Sequence, residues 1–212
     1  MTVRFLFDFI SPYAYLAYHG LGTVAERHNT EIHAVPVLFA GLLNHHGQKG
    51  PAEIPAKRLY VFKDVMRSAR RLGIHLEPPP SHPFNPLLAL RVCGLDMPPE
   101  TRWKLVGLLL ERVWGGGGGV ADSKVVEAVA TEAGVANAVE RAQAPEAKAR
   151  LRTQTERAIE AGVFGVPTML IDGELFWGSD SLPHLNDHLG GAEPLPADLV
   201  ERWAHITPSA TR

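Results

Sequence analysis

Apolar positions along the chain follow two periodicities, and the order in which they alternate sets the fold. Residues 3–9, VRFLFDF, are rich in β-formers and predict a short buried strand. In the next stretch Tyr15, Leu16, Tyr18, His19 and Leu21 recur at helical spacing. Pro12 suits the first turn of that helix and Ser11 its N-cap. Residues 31–38, EIHAVPVL, alternate and predict a second strand, in which Pro36 disfavours a central ladder position. Helical patterns then follow at 57–72, 86–95, 101–114, 123–133 and 146–161. Pro and Gly punctuate them at 78–80, 98–99, 115–119 and 145. Strand signals return at 168–171 and 175–177 around Asp172-Gly173, a hairpin signature. SDSLPHLNDHL predicts a last helix capped by Ser179 or Asp180, and a short helix is expected near 198–204 in the Pro-rich tail.

Strand, helix, strand, helical block, hairpin, helix is the order of a βαβ unit and a ββα unit separated by an insertion. The expected organisation is an α/β domain of residues 1–40 plus 163–212, with an inserted all-helical domain over 41–162. The chain has 212 residues, enough to bury roughly 70% of its unfolded surface without a covalent staple. Its net charge of −2 argues against nucleic acid or an anionic membrane as the main partner. Cys93 is the only cysteine, so an intramolecular disulfide, a CxxC pair and a thiolate-rich metal site are all excluded. The apolar start is interrupted by Asp8 and Pro12 and does not read as a signal peptide. A cytoplasmic enzyme is expected. The histidines have no metal-ligand spacing, and Cys93, Trp103 and Trp114 read as packing residues.

Three places carry candidate chemistry. At the first strand-to-helix junction, Ser11 leads a helix whose free N–H groups favour an anion; the plain alternative is an N-cap and nothing more. In GVFGVPTMLIDG, Val166-Pro167 reads either as a fixed, cis-type turn presenting Val166 backbone groups or as an ordinary connector. In WGSDSL, Asp180 and Ser181 open another helix, where N–H groups suit a carboxylate and Asp180 an ammonium. Alone, that is a common capping pattern.

Taken in order, SPYAY, GVPT and GSD resemble the DsbA-like branch of thioredoxin folds. More closely they resemble the kappa-class glutathione transferases and the 2-hydroxychromene-2-carboxylate isomerases. IPAKRLYVFKD (54–64) and HPFNPLLALR (82–91) look like the helical-insert motifs of that group, with the isomerase branch favoured. The resemblance implies a thioredoxin-like fold of DsbA/kappa type with a large helical insertion, and glutathione as cofactor. It makes Ser11 the catalytic residue that holds the glutathione sulfur. Val166, before Pro167, would pair with the tripeptide's cysteine, Asp180 and Ser181 beside Ser179 would bind its γ-glutamyl end, Lys57 would lie near its glycine carboxylate, and Gln48, where relatives often have asparagine, would also bind the cofactor. Asn85, Lys49 and Phe84 fall on the substrate side; for Asn85 a turn or cap is an equal reading. The implied reaction interconverts 2-hydroxychromene-2-carboxylate and trans-o-hydroxybenzylidenepyruvate without consuming the thiol. The implied partners are a small aromatic carboxylate and a second copy of the chain.

The energetics are consistent with that role. A thiol titrating near ~8.5 needs about 2.7 kcal/mol of preference for its anion to drop by ~2 units. A hydrogen bond to a charged acceptor supplies roughly 1.5–3 kcal/mol and a helix N-terminus a further ~0.3–1 kcal/mol. Two rivals stay open: a kappa-type transferase or peroxidase that consumes glutathione, and a non-catalytic thioredoxin-like module. The five glycines at 115–119 lack a phosphate-binding register and are expected to form a flexible loop near the pocket mouth.

Overall fold

The computed structural model describes residues 1–192 and 195–209. Strand β1 (Thr2–Phe7) leads into helix α1 (Pro12–Arg27) and strand β2 (Glu31–Pro36). Seven helices follow before the sheet resumes: α2 (Phe39–His45), α3 (Pro55–Leu72), α4 (Leu87–Cys93), α5 (Pro99–Trp114), α6 (Ser123–Glu132), α7 (Ala138–Gln143) and α8 (Pro145–Glu160). The hairpin β3 (Thr168–Ile171) and β4 (Glu174–Trp177), helix α9 (Leu182–Leu189) and helix α10 (Ala197–Ala204) complete the described chain. The sheet order is β2-β1-β3-β4, with β1 and β2 parallel and both remaining pairs antiparallel. Pro36 lies on an edge strand, where its missing N–H costs no ladder bond.

Both faces of the sheet are covered, which is why its central strands read as unbroken apolar runs. From β1, Val3, Phe5 and Phe7 enter one core, while Leu6 points to the other. In β3, Met169 and Ile171 join the first core and Leu170 the second. The first core passes without a break into the helical segment, through Leu105, Leu109 and Val113 of α5 and Val126 of α6. Phe5 and Phe7 stack at 5.6 Å between ring centres, and Phe5 meets Trp103 edge-on at 5.7 Å. Trp114 and Cys93 are buried, as their apolar surroundings in the sequence imply.

Three expectations change. The first strand stops at Phe7 rather than reaching residue 9, because the Asp8 carboxylate turns back to accept from the N–H of Ile10 at 3.1 Å. Helices α2 and α7 have no counterpart in the sequence pattern. The five glycines do not line the candidate site: Gly116 packs near Glu77, Gly117 against Arg112 and Gly119 near Pro80. Gly116, Gly118 and Gly119 have φ of +87°, +83° and +89°, so the run answers a need for left-handed backbone.

Candidate active site

The turn between β1 and α1 is fixed at every residue. The Asp8 carbonyl accepts from the N–H of Ser11 at 3.1 Å. The Phe9 carbonyl accepts from the Trp114 indole at 2.9 Å, and the Ile10 carbonyl pairs with His82 Nε2 at 2.9 Å. Since a carbonyl only accepts, Nε2 carries a proton, and burial lowers the His82 pKa, which favours the neutral ring. Ser11 Oγ accepts from the N–H of Ala14 at 3.3 Å and donates to the Val166 carbonyl at 3.2 Å. The Val166-Pro167 peptide is cis. Ser11 is therefore a genuine N-cap, but the cap uses a lone pair and leaves the hydroxyl proton to a second acceptor. At 3.2 Å the bond to Val166 is long for an O–H···O contact, so the hydroxyl can turn to donate to a better acceptor.

This turn opens onto a cavity of about 780 Å³, within the range of roughly 300–1,000 Å³ usual for small-molecule sites. Ser11, Gln48, Lys49, Lys57, Phe84 and Val166 all line it. Lys49, Lys57 and Arg58 bring positive charge to it, with Glu53 as the exposed acid. Glu53 is engaged with the N–H of Gly50 at 2.6 Å. Among the described residues the ion pairs are His75–Glu77 and Arg152–Glu156, so the three cations have no anionic partner there.

The remaining residues singled out in the sequence lie elsewhere. Ser179, Asp180 and Ser181 form a 3-10 turn outside the cavity lining. Asp180 stands close enough to act on the Tyr13 hydroxyl, and Tyr13 does line the cavity, so the turn is at its edge. Ser181 is buried and donates to the Gly178 carbonyl at 2.8 Å. Pro167 is buried behind Val166. Asn85 is exposed, and its Oδ1 accepts from the N–H of Leu87 at 3.0 Å, which is the turn-and-cap reading of that residue.

The cavity also holds residues the sequence did not single out. Phe164 and Trp177, with ring centres 5.1 Å apart, flank the Val166 end. Trp177 lies so close to Gly165 that a Cβ there would come within 2.6 Å of the indole nitrogen. Tyr13 donates to Asp64 at 2.8 Å, tying α1 to α3. His82 sits among Phe62, Phe84 and Trp114. Asp8 is fully buried at the base, and Phe39 at the start of α2 donates to its Oδ2 at 2.9 Å. Its signal was visible: an acid inside the apolar run FLFDF.

Burial pushes the Asp8 carboxyl up from 3.8 to about 6, against the opposing backbone bonds from Phe39, Ile10 and Phe9. The folded protein thus holds this proton more tightly than the unfolded chain. The stabilisation is complete below about pH 4 and is lost as pH rises through about 6, amounting to about 3 kcal/mol. Urea titrations of the wild type and Asp8→Asn should show the difference in their unfolding free energies shifting by that amount, in favour of the variant, between pH 4 and 7. Parallel curves across this range refute the assignment.

Among the described residues no His, Cys, Asp or Glu side chains gather in a group able to hold a metal ion. Nor is any helix there long and apolar enough to cross a membrane.

A strand-to-helix serine facing a cis-proline loop across a four-stranded sheet is a thioredoxin-type arrangement. The DSBA-like thioredoxin domain family matches residues 2–190, and the chain belongs to that family. Within it the chain belongs with enzymes of two related kinds. It is 30% identical over 194 residues to the 2-hydroxychromene-2-carboxylate isomerase of Sphingobium xenophagum, covering 89% of this chain and 97% of that one. It is also 30% identical over 218 residues to glutathione S-transferase kappa 2 of Caenorhabditis elegans, covering 95% and 96%. A solved 2-hydroxychromene-2-carboxylate isomerase superimposes with a TM-score of 0.82 at 28% identity, over 98% of this chain and all of the other.

Proposed function

We propose that the protein binds glutathione along the Ser11–Val166 edge of the cavity and uses it to isomerise a small aromatic carboxylate of the 2-hydroxychromene-2-carboxylate type. The observation that carries this reading is the Ser11 hydroxyl. It caps α1, lends its proton only to the Val166 carbonyl, and faces a largely apolar cavity with unpaired cations. The residues suit the tripeptide. Val166 offers backbone groups beside Ser11, Lys57 an ammonium for the glycine carboxylate with Gln48 nearby, and the Ser179–Ser181 turn a place for the γ-glutamyl end.

Bound glutathione supplies a thiol nucleophile for reversible addition to a conjugated substrate. The chain's own residues do the rest. Ser11 donates a hydrogen bond to the sulfur, the first turn of α1 adds its partial positive charge, and the aromatic walls exclude water. Phe84 flanks the ring of the substrate, and Lys49 lines the cavity with it. Cytoplasmic location and a homodimer belong to the same proposal.

Calorimetry with glutathione is the first test: a protein with no affinity for it is a non-catalytic module. Asp180→Ala should weaken binding about tenfold or more, with little change in the pKa of the bound thiol. The reverse pattern would place the tripeptide the other way round. The kappa relative supports a second reading, a transferase that consumes glutathione. Turnover of 2-hydroxychromene-2-carboxylate with no loss of free thiol favours the isomerase; stoichiometric thiol loss on a chromophoric electrophile favours the transferase.

A further inference from the structure

Two of the cavity's three unpaired cations are in excess of what the tripeptide's glycine end requires. They differ in setting. Lys49 lies in the loop after α2, next to Gln48 and Gly50. Arg58 lies on α3, one turn before Val61 and Phe62, so all three share one helix face. Phe62 meets the His82 ring edge-on at 5.3 Å, and His82 meets Phe84 at 6.3 Å. This aromatic wall leads back to Ser11 through the His82–Ile10 bond. Arg58 also stands near enough to His82 for its charge to act on the ring.

We propose that Arg58, at the head of the Val61–Phe62–His82–Phe84 wall, binds the carboxylate of the second substrate and makes the site selective for anionic aromatic acids over neutral ones. The inference rests on the glutathione reading and extends it to the acceptor. A guanidinium presents a planar fork that matches a carboxylate through two parallel bonds, whereas an ammonium is a single point charge. An aromatic ring against the wall then places its carboxylate at the solvent end of the cavity, where Arg58 is exposed. The conjugated carbons lie between the two, toward Ser11.

The test uses the full chain saturated with S-methylglutathione, which fills the tripeptide site without a free thiol. Affinities for trans-o-hydroxybenzylidenepyruvate and for its methyl ester are then compared by calorimetry. The wild type should prefer the acid by about ten- to a hundredfold. Arg58→Gln should abolish that preference, Arg58→Lys should restore part of it, and Lys49→Gln should keep most of it. Circular dichroism and retained S-methylglutathione binding confirm folding of each variant. Equal wild-type affinities for acid and ester, an unaltered preference in Arg58→Gln, or its loss in Lys49→Gln alone each overturn the assignment while leaving glutathione binding intact. A wild type that binds neither glutathione nor its S-methyl form overturns the underlying reading and this one with it.

Discussion

Ser11→Ala is expected to keep its affinity for glutathione and to lose most of the thiolate. On the proposed role, the alanine removes the donor to sulfur, while Val166 and Lys57 still line the cavity. Losing a hydrogen bond to an anion costs about 1.5–3 kcal/mol, which raises the bound thiol by about 1–2 pK units. Turnover at neutral pH should fall by about ten- to a hundredfold with little change in the glutathione dissociation constant. Thiolate absorbance near the ultraviolet edge, followed against pH, reads the shift directly. The same substitution removes an N-cap and should cost about 1 kcal/mol of stability, so melting curves must accompany the assay. Unchanged turnover in a folded variant defeats the role assigned to Ser11.

The second large effect concerns stability. Trp114 is the largest fully buried side chain, and its indole donates to the Phe9 carbonyl two residues before Ser11. Trp114→Ala opens a cavity and orphans that carbonyl, for a combined loss of about 3–5 kcal/mol in urea unfolding. Trp114→Phe keeps most of the packing and loses only the donor, so about 1–3 kcal/mol is expected. Equal losses in the two variants would show that the hydrogen bond contributes little beside the burial.

The pattern along the chain revealed elements whose signals are local. Ser11-Pro12 carries its own cap, and Asp172-Gly173 carries the positive φ that the β3–β4 turn needs, +50° and +88°. Helices α2 and α7 escaped because each is short and capped from a distance. The N-terminus of α2 is served by Asp8, and that of α7 by Glu127, whose carboxylate accepts from Ala138 and Val139 at 3.2 and 2.7 Å. The site divides in the same way. Ser11, Lys57 and Val166 lie in motifs readable as text. Arg58, Phe164 and His82 become neighbours of Ser11 only when three distant stretches fold onto one cavity. For Asn85, the plain turn reading is the one the geometry displays.

The cavity is assembled from two sources. Residues 8–13 and 164–166 with Trp177 come from the stretches around the sheet and surround Ser11. Leu38, Phe39 and Ala40 follow β2 directly, and residues 43–62 and 82–86 come from the helical stretch between β2 and β3 and build the rest of the wall. The two sources are joined by the Tyr13–Asp64 bond and the shared core. Such a partition lets the lining from the helical stretch vary while the Ser11–Val166 contact stays in place.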